Sequence, residues 1–98
     1  MGLLSSNDLF LYNKTKSQME IKLLFFGITS DLVGKNTITF NLNEDATVKI
    51  LKDKLILIYS ALKNINEFAI AVNEEYANDD VIINNGDVVA IIPPVSGG

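Results

Sequence analysis

The sequence contains no cysteine and no histidine among its 98 residues. These two absences exclude a disulfide framework, a zinc site built from cysteine and histidine, a thiol nucleophile and an imidazole general base. The acidic residues also lack the spacing of a calcium-binding EF-hand loop. We therefore predict no metal site, and we expect any chemistry to depend on groups other than these side chains.

Positive charge and long apolar runs are also scarce. The formal net charge of −4 argues against binding to a nucleic-acid backbone and suits a basic protein partner. No apolar run reaches the ~18 residues that a membrane span needs, and the apolar stretch at residues 9–12 is too short and interrupted for a secretory signal. We expect neither nucleic acid nor a membrane as a partner, and a cytoplasmic location by default.

The composition, with 48% hydrophobic and 20% charged residues, predicts one ordinary globular domain. Residues 1–18 show no sustained apolar period, and we interpret them as a poorly ordered N-terminal extension. The alternative for them is a short surface element that pairs with a sheet edge. Residues 19–92 carry strong patterning and form the predicted domain, and residues 93–98 form a C-terminal arm.

Apolar alternation predicts most of the strands. The first strand covers residues 20–26, where Ile21, Leu23 and Phe25 share one face, and the second covers residues 37–42. A single helical turn is predicted over residues 30–34, between these two strands, and it ends at Gly34. Further strands are predicted at residues 68–72, at a short edge segment over 76–77 and at the almost wholly apolar stretch 88–92.

One main helix follows the second strand, with Thr47 as its N-cap. Spacings of three and four residues predict an inward stripe, and further apolar residues widen it. The stripe consists of Val48, Leu51, Leu55, Ile58 and Leu62, widened by Ile50, Leu57 and Ala61. A helix across one face of a mixed sheet of four to five strands is the economical way to bury these patterns. We therefore predict an α+β fold of the β-grasp type, with the first and last strands parallel and adjacent.

The C-terminal arm begins with Pro93 and Pro94, which lack a backbone donor and fix φ, so the last strand must stop before them. The arm continues with residues of small bulk, Val95, Ser96, Gly97 and Gly98. Two terminal glycines alone are typical of a frayed end. A slim arm can also thread a narrow channel and carry a carboxylate to a distant active site. The two prolines and the β-grasp pattern favour this second interpretation.

The chain resembles the sulfur-carrier small subunits of molybdopterin synthase, a family of the ubiquitin-like β-grasp superfamily. The matching stretches are residues 21–27, 32–34, 72–76 and 85–98, of which the last is the specific one. The resemblance begins at Met19 and covers the rest of the chain. Two departures are the extension before Met19 and Asn85, which stands where an acidic turn residue is common.

The resemblance implies a chemistry that uses only the terminus. An adenylating partner similar to ubiquitin-activating enzymes would join the Gly98 carboxyl group to AMP, with ATP and magnesium as its own substrates. A cysteine desulfurase or a rhodanese-type sulfurtransferase would supply the sulfur that converts Gly98 to a thiocarboxylate. The residues from Pro93 to Gly97 would enter a pocket of the large subunit, where the sulfur passes to a precursor pterin. The chain itself would bind no cofactor and would not be an enzyme alone.

Strand alternation also predicts a partner interface. If Phe25 and Ile91 face the helix, then Phe26 and Ile92 face the opposite side, and Tyr76 lies on the adjoining edge segment. We predict that Phe26, Tyr76 and Ile92 form an exposed apolar patch beside the arm that binds the large subunit. The alternative is that Phe26 is a core residue beneath the N-terminal extension.

Two other functions remain open from the sequence. One is the related carrier that supplies sulfur for the thiazole of thiamine, which tends to be shorter and lacks the Pro-Pro pair, so Pro93 and Pro94 argue against it. The other is a ubiquitin-like interaction module without sulfur chemistry, in which the arm is merely a linker end.

Overall fold

The computed structural model of the protein describes residues 18–64 and 68–94. In chain order the elements are β1 (Gln18–Phe25), α1 (Ile28–Val33), β2 (Thr37–Asn43), α2 (Val48–Ile58), a 3₁₀ helix (Ser60–Asn64), β3 (Ala69–Val72), β4 (Glu75–Tyr76) and β5 (Val88–Ile92). Most of the predicted N-terminal extension and the last four arm residues, 95–98, lie outside the described residues. The expectations for those two segments therefore stay predictions.

The described strands form one mixed sheet in the order β2-β1-β5-β3-β4. β1 and β5 are parallel neighbours, with Leu23 opposite Val89, and the other neighbouring pairs are antiparallel. Because a parallel pair cannot be joined by a tight hairpin, the chain between β1 and β5 must cross over, and α2 lies in that crossover. The predicted α+β fold of the β-grasp type is confirmed.

The hydrophobic core lies between one face of the sheet and α2. Ile21, Leu23 and Phe25 alternate with exposed or half-buried residues along β1 and point into this core, as predicted. From α2, Leu51 and Leu55 are fully buried against the sheet. The Phe25 ring makes an edge-to-face contact with Tyr59, with ring centroids 6.2 Å apart, an arrangement that aromatic pairs prefer.

The helix α2 begins as predicted, because the hydroxyl oxygen of Thr47 accepts a hydrogen bond from the backbone N–H of Ile50 at 3.3 Å. The predicted inward stripe is wrong at three positions: Ile50, Leu57 and Ile58 are 46%, 81% and 56% exposed. At about 100° per residue, Ile50 and Leu57 lie roughly 140 to 160° around the helix from Leu55, on its outer side.

The error at Ile58 has a different cause, which is that α2 ends at this residue. Tyr59 follows it and occupies the inward place instead, where it meets Phe25. The 3₁₀ helix then carries Leu62 back into the core, where it is fully buried, as the prediction required.

The connections agree with the sequence in most details. α1 begins at Ile28, two residues earlier than predicted, and Gly34, the predicted end, is its C-cap. Phe68 is buried immediately before β3, and β4 lies one residue earlier than expected. Ile83, in the loop between β4 and β5, is fully buried.

Candidate functional site: the open sheet face and the base of the arm

The face of the sheet that points away from α2 is apolar along β5 and β3 and at the end of β1, and exposed Lys22, opposite Val88, marks its polar border. Residues paired across neighbouring strands share a face, and the register places Leu24, Ala90, Ala71 and Tyr76 in one row from β1 to β4. We call this surface the open face. Its members are Leu24, Phe26, Ala69, Ala71, Tyr76, Val88, Ala90 and Ile92.

The middle of the open face is a shallow floor made of three alanines, Ala69, Ala71 and Ala90. Phe26, which is 48% exposed, lies on one side of the floor, and Tyr76, which is 75% exposed, lies on the other. A concavity of about 410 Å³ opens over this face, and it is lined by Leu24, Phe26, Asn73, Glu74, Val88 and Ala90. Exposed apolar surface of this kind marks interaction sites more often than an isolated exposed residue does.

The structure places the three predicted interface residues on this one face, two of them close together and Tyr76 farther away. Phe26 and Ile92 are neighbours on adjacent strands, since the Phe26 N–H donates to the Ile91 carbonyl oxygen at 3.1 Å. Tyr76 lies three strand spacings from β1, roughly 14 Å away, with the alanine floor between. The three therefore border one surface and do not form one tight cluster. The exposure of Phe26 favours a surface role over the core alternative.

Sequence reasoning missed the floor of the open face and its lining residues Leu24 and Val88. A signal was present in the last strand, whose even-numbered positions are as apolar as its odd-numbered ones. A central strand that is apolar on both faces needs cover on both, and the described chain supplies α2 for one of them.

Hydrogen bonds around Asp87 fix one edge of the open face. The Asp87 carboxylate, in a residue only 9% exposed, accepts hydrogen bonds from the Asn73 side-chain amide at 3.0 Å and from the Asn84 N–H at 2.8 Å. The Asn73 side-chain oxygen in turn accepts from the Val88 N–H at 3.0 Å. Both carboxylate oxygens therefore accept hydrogen bonds, and Asp87 holds the β3–β4 turn against β5.

The base of the arm adjoins the open face. β5 ends at Ile92, and Pro93 follows it directly, as the prolines predicted. The Pro93 ring lies against Gly27, at a distance where a Cβ on residue 27 would stand 3.1 Å from Pro93 Cγ. Thr29, in α1, is fully buried beside the end of β5, and its hydroxyl group contacts the carbonyl oxygens of Phe26 and Ile91. The structure thus shows Pro93 in a packed setting, while Pro94 is exposed.

Among residues 18–64 and 68–94, no group of three or more potential metal-ligating side chains comes together. Within the same ranges, no helix has the combined length and apolar character that crossing a membrane requires.

Comparisons with known proteins agree with one another on the family. The sequence model of the ThiS family matches residues 23–98. The molybdopterin synthase sulfur carrier subunit of Arabidopsis thaliana is 36% identical over 83 residues, which cover 84% of this chain and 86% of the relative.

Two solved structures extend the comparison to the fold. SAMP1 from Haloferax volcanii superimposes with a TM-score of 0.71 at 26% identity, covering 81% of this chain and 99% of that one. A chain of the complex of subunits 1 and 2 of the molybdopterin-converting factor from Helicobacter pylori matches with a TM-score of 0.58 at 27% identity, covering 82% of this chain and all of that one, 100%.

Proposed function

Because the chain belongs to the ThiS family, we propose that it is the sulfur-carrier small subunit of a molybdopterin synthase. The observation that carries the proposal is the similarity to the Arabidopsis sulfur carrier subunit, which extends over 84% of this chain. The packed arm base and the apolar open face support it, because a carrier needs a firmly rooted arm and a surface for its partner. The proposal includes a cytoplasmic location.

The chemistry of the proposal resides at the Gly98 carboxyl group. A carboxylate is a poor electrophile, because its negative charge repels nucleophiles and oxide is a poor leaving group. An adenylating partner using ATP and magnesium converts it to an acyl-adenylate, whose leaving group is AMP. A persulfide held on a cysteine desulfurase or a sulfurtransferase then attacks the acyl carbon, expels AMP and forms an acyl disulfide. A second thiol reduces the S–S bond, which releases the Gly98 thiocarboxylate and leaves a disulfide on the donor side. In this scheme the chain is a carrier subunit and not an enzyme by itself, since no side chain of its own performs a chemical step.

The open face is the proposed docking surface for the large subunit. It is apolar and lies directly beside Pro93, so a partner bound there would also meet the start of the arm. Phe26 and Tyr76 are exposed aromatic side chains, a type that often supplies much of the binding energy of an interface. The matched Helicobacter pylori structure is a complex of subunit 1 with subunit 2 of the molybdopterin-converting factor, which supports a large-subunit partner.

The sulfur-carrier step is tested by intact mass spectrometry. The full chain is incubated with ATP, magnesium, an adenylating enzyme, a sulfur donor and a thiol reductant. We expect a mass gain equal to the exchange of one oxygen atom for one sulfur atom. A variant with one residue added after Gly98 is the control, and it should gain nothing. The proposal fails if the natural chain stays unmodified while the same enzymes modify their own carrier.

The docking surface is tested by calorimetric titration of the large subunit. Phe26→Ser and Tyr76→Ser should each raise the Kd about tenfold or more, because each removes an exposed aromatic anchor. Leu57→Ser is the matched control, since Leu57 is also exposed but lies on the outer side of α2. Equal affinities for all three variants would rule out the open face as the docking surface.

The two alternatives are separated by partner choice. A thiazole-pathway carrier would also gain sulfur but would bind thiazole synthase in place of the molybdopterin synthase large subunit. A ubiquitin-like module without sulfur chemistry would show no mass gain in the first assay.

A further inference from the structure

We propose that Gly27 and Thr29 are positioning residues that set the direction in which the chain leaves β5 toward the reactive terminus. This inference rests on the proposed function, because it assigns these residues to the delivery of the arm. Neither residue would touch the pterin or the sulfur. Both would act through Ile91 and Pro93, where β5 passes into the described part of the arm.

Gly27 makes room for the arm. Its backbone has φ 55° and ψ −134°, a combination that side chains with a Cβ rarely adopt. The turn from β1 into α1 therefore favours glycine on conformational grounds alone. A Cβ at this position would also stand 3.1 Å from Pro93 Cγ, closer than ordinary van der Waals contact. Any larger residue would push the Pro93 ring outward and tilt the start of the arm.

Thr29 fastens the end of β5. The residue is fully buried, and its Oγ1 lies 2.5 Å from the Phe26 carbonyl oxygen and 3.2 Å from the Ile91 carbonyl oxygen. A hydroxyl has one proton, so it donates to one of these oxygens at a time or shares the proton between them. The Ile91 oxygen also accepts from the Phe26 N–H at 3.1 Å. The peptide just before Ile92 is thus held from two sides.

A small tilt at the base becomes a large displacement at the tip. Pro93 fixes its own φ and holds the preceding residue, Ile92, in an extended conformation, so the direction set at Ile91 is passed outward. If residues 93–98 were fully extended, they would span at most roughly 19 Å at about 3.1 Å per residue. Over that length, a tilt of roughly 20° would move the tip by about 6 to 7 Å, whereas misplacement by about 1 Å can already cost a hundredfold in rate.

The chain offers matched controls for both residues. Gly34, at the other end of α1, also has a positive φ of 84°, but nothing lies within 4 Å of a Cβ built there. Gly34→Ala therefore also places a Cβ on a residue with positive φ, but it does not reach the arm. Its backbone cost is smaller, because φ 84° and ψ 12° lie in the left-handed region that other residues can adopt. At position 29, Thr29→Val keeps the shape of the side chain and removes the hydroxyl group, whereas Thr29→Ser keeps the hydroxyl group and removes the methyl group.

The first test measures sulfur transfer with the full chain, preloaded as the thiocarboxylate, at saturating large subunit. We expect Gly27→Ala and Thr29→Val to lower the single-turnover rate about tenfold or more, with the Kd for the large subunit changed less than about threefold. Gly34→Ala should keep the natural rate despite its strain, and Thr29→Ser should recover it. A loss that is equal in Gly27→Ala and Gly34→Ala, or no loss in Gly27→Ala and Thr29→Val, overturns the proposal.

The second test does not depend on sulfur chemistry. Because the chain has no cysteine, Ser96→Cys provides a single site for a nitroxide spin label, and the broadening of backbone amide signals reports where the arm points. We expect Gly27→Ala and Thr29→Val to change the pattern of broadened residues, and Gly34→Ala and Thr29→Ser to leave it unchanged. One pattern in all four variants would refute arm positioning even if the chain carries sulfur. A chain that never gains sulfur but shows the expected patterns would refute the carrier function alone.

Discussion

The side-chain oxygen of Asn85 accepts a hydrogen bond from the backbone N–H of Glu20 at 2.9 Å, which ties the turn before β5 to the start of β1. The next residue completes the connection, because the Gly86 N–H donates to the Glu20 carbonyl oxygen, also at 2.9 Å. Both polar groups of Glu20's backbone are therefore paired with one turn. Asn85 departs from the acidic residue that the family resemblance led us to expect, yet it supplies an acceptor that a carboxylate would supply equally well.

Substitutions at Asn85 should separate the acceptor from the residue type. Asn85→Asp keeps an acceptor and should change the free energy of unfolding by less than about 0.5 kcal/mol. Asn85→Ala removes the acceptor and should lower the free energy of unfolding by about 1 kcal/mol. The loss is no larger because the exposed Glu20 N–H can donate to water instead. Urea denaturation measures both values. Equal stability of the alanine and aspartate variants would show that this hydrogen bond contributes nothing.

A glycine in the β3–β4 turn should stabilise the protein at position 74 and destabilise it at position 73. Asn73 and Glu74 have φ values of 50° and 74°, a conformation that favours an Asn-Gly pair in tight hairpins. Glu74→Gly should therefore raise the free energy of unfolding by about 0.5 to 1 kcal/mol. Asn73→Gly should lower it, because the Asn73 side chain bonds to Asp87 and Val88. Thermal unfolding followed by circular dichroism distinguishes the two, and shifts of the same sign would contradict this account.

Acid should remove the contribution that the surface ion pair between Lys52 and Asp79 makes to the free energy of unfolding. The hydrogen bond from Lys52 Nζ to Asp79, at 2.9 Å, together with the Lys52 charge, lowers the pKa of the Asp79 carboxyl group from its ordinary value of 3.8. A lowered pKa in the folded state adds stability above 3.8, and this stability is lost as the pH falls through the folded-state pKa.

The variant Asp79→Asn tests this directly. The natural protein should be the more stable of the two at neutral pH, and the difference should shrink toward zero as the pH falls below the ordinary Asp pKa. High salt should shrink the difference as well, because both side chains of the pair are solvent-accessible. A difference that stays constant across acidic pH would show that the Lys52 pair does not act through the Asp79 charge.

The sequence was sufficient for the features that depend on local periodicity. Period-two alternation predicted which residues of β1 point inward, and Thr47 was correctly predicted as an N-cap. Periodicity was misleading where the helix ended: a continuous stripe through Ile58 assumes that α2 continues, whereas the helix stops there and Tyr59 takes the inward place. The apolar character of Leu57 gave no indication of its exposure, because the side of a helix that is covered depends on the packing of the whole domain.

The candidate site could be predicted only in part, because its geometry depends on strand order. Alternation placed Phe26, Ile92 and Tyr76 on one side of the sheet, but the separation between Phe26 and Tyr76 follows from the two strands that lie between theirs. The contact of Gly27 with Pro93 exists only because β1 and β5 are neighbours. No local pattern connects residues so far apart in the chain. Thr29 was missed because the predicted helical turn began one residue after it, whereas α1 begins at Ile28.

The central place of β5 has a mechanical consequence. Its backbone is bonded along both edges, to β1 and to β3, and the arm is its direct continuation. Traction on Pro93 along the strand axis would load both ladders in shear, so that several bonds share the force instead of opening one after another. A partner that binds the end of the arm could therefore pull on the carrier, or release it, without unfolding the domain.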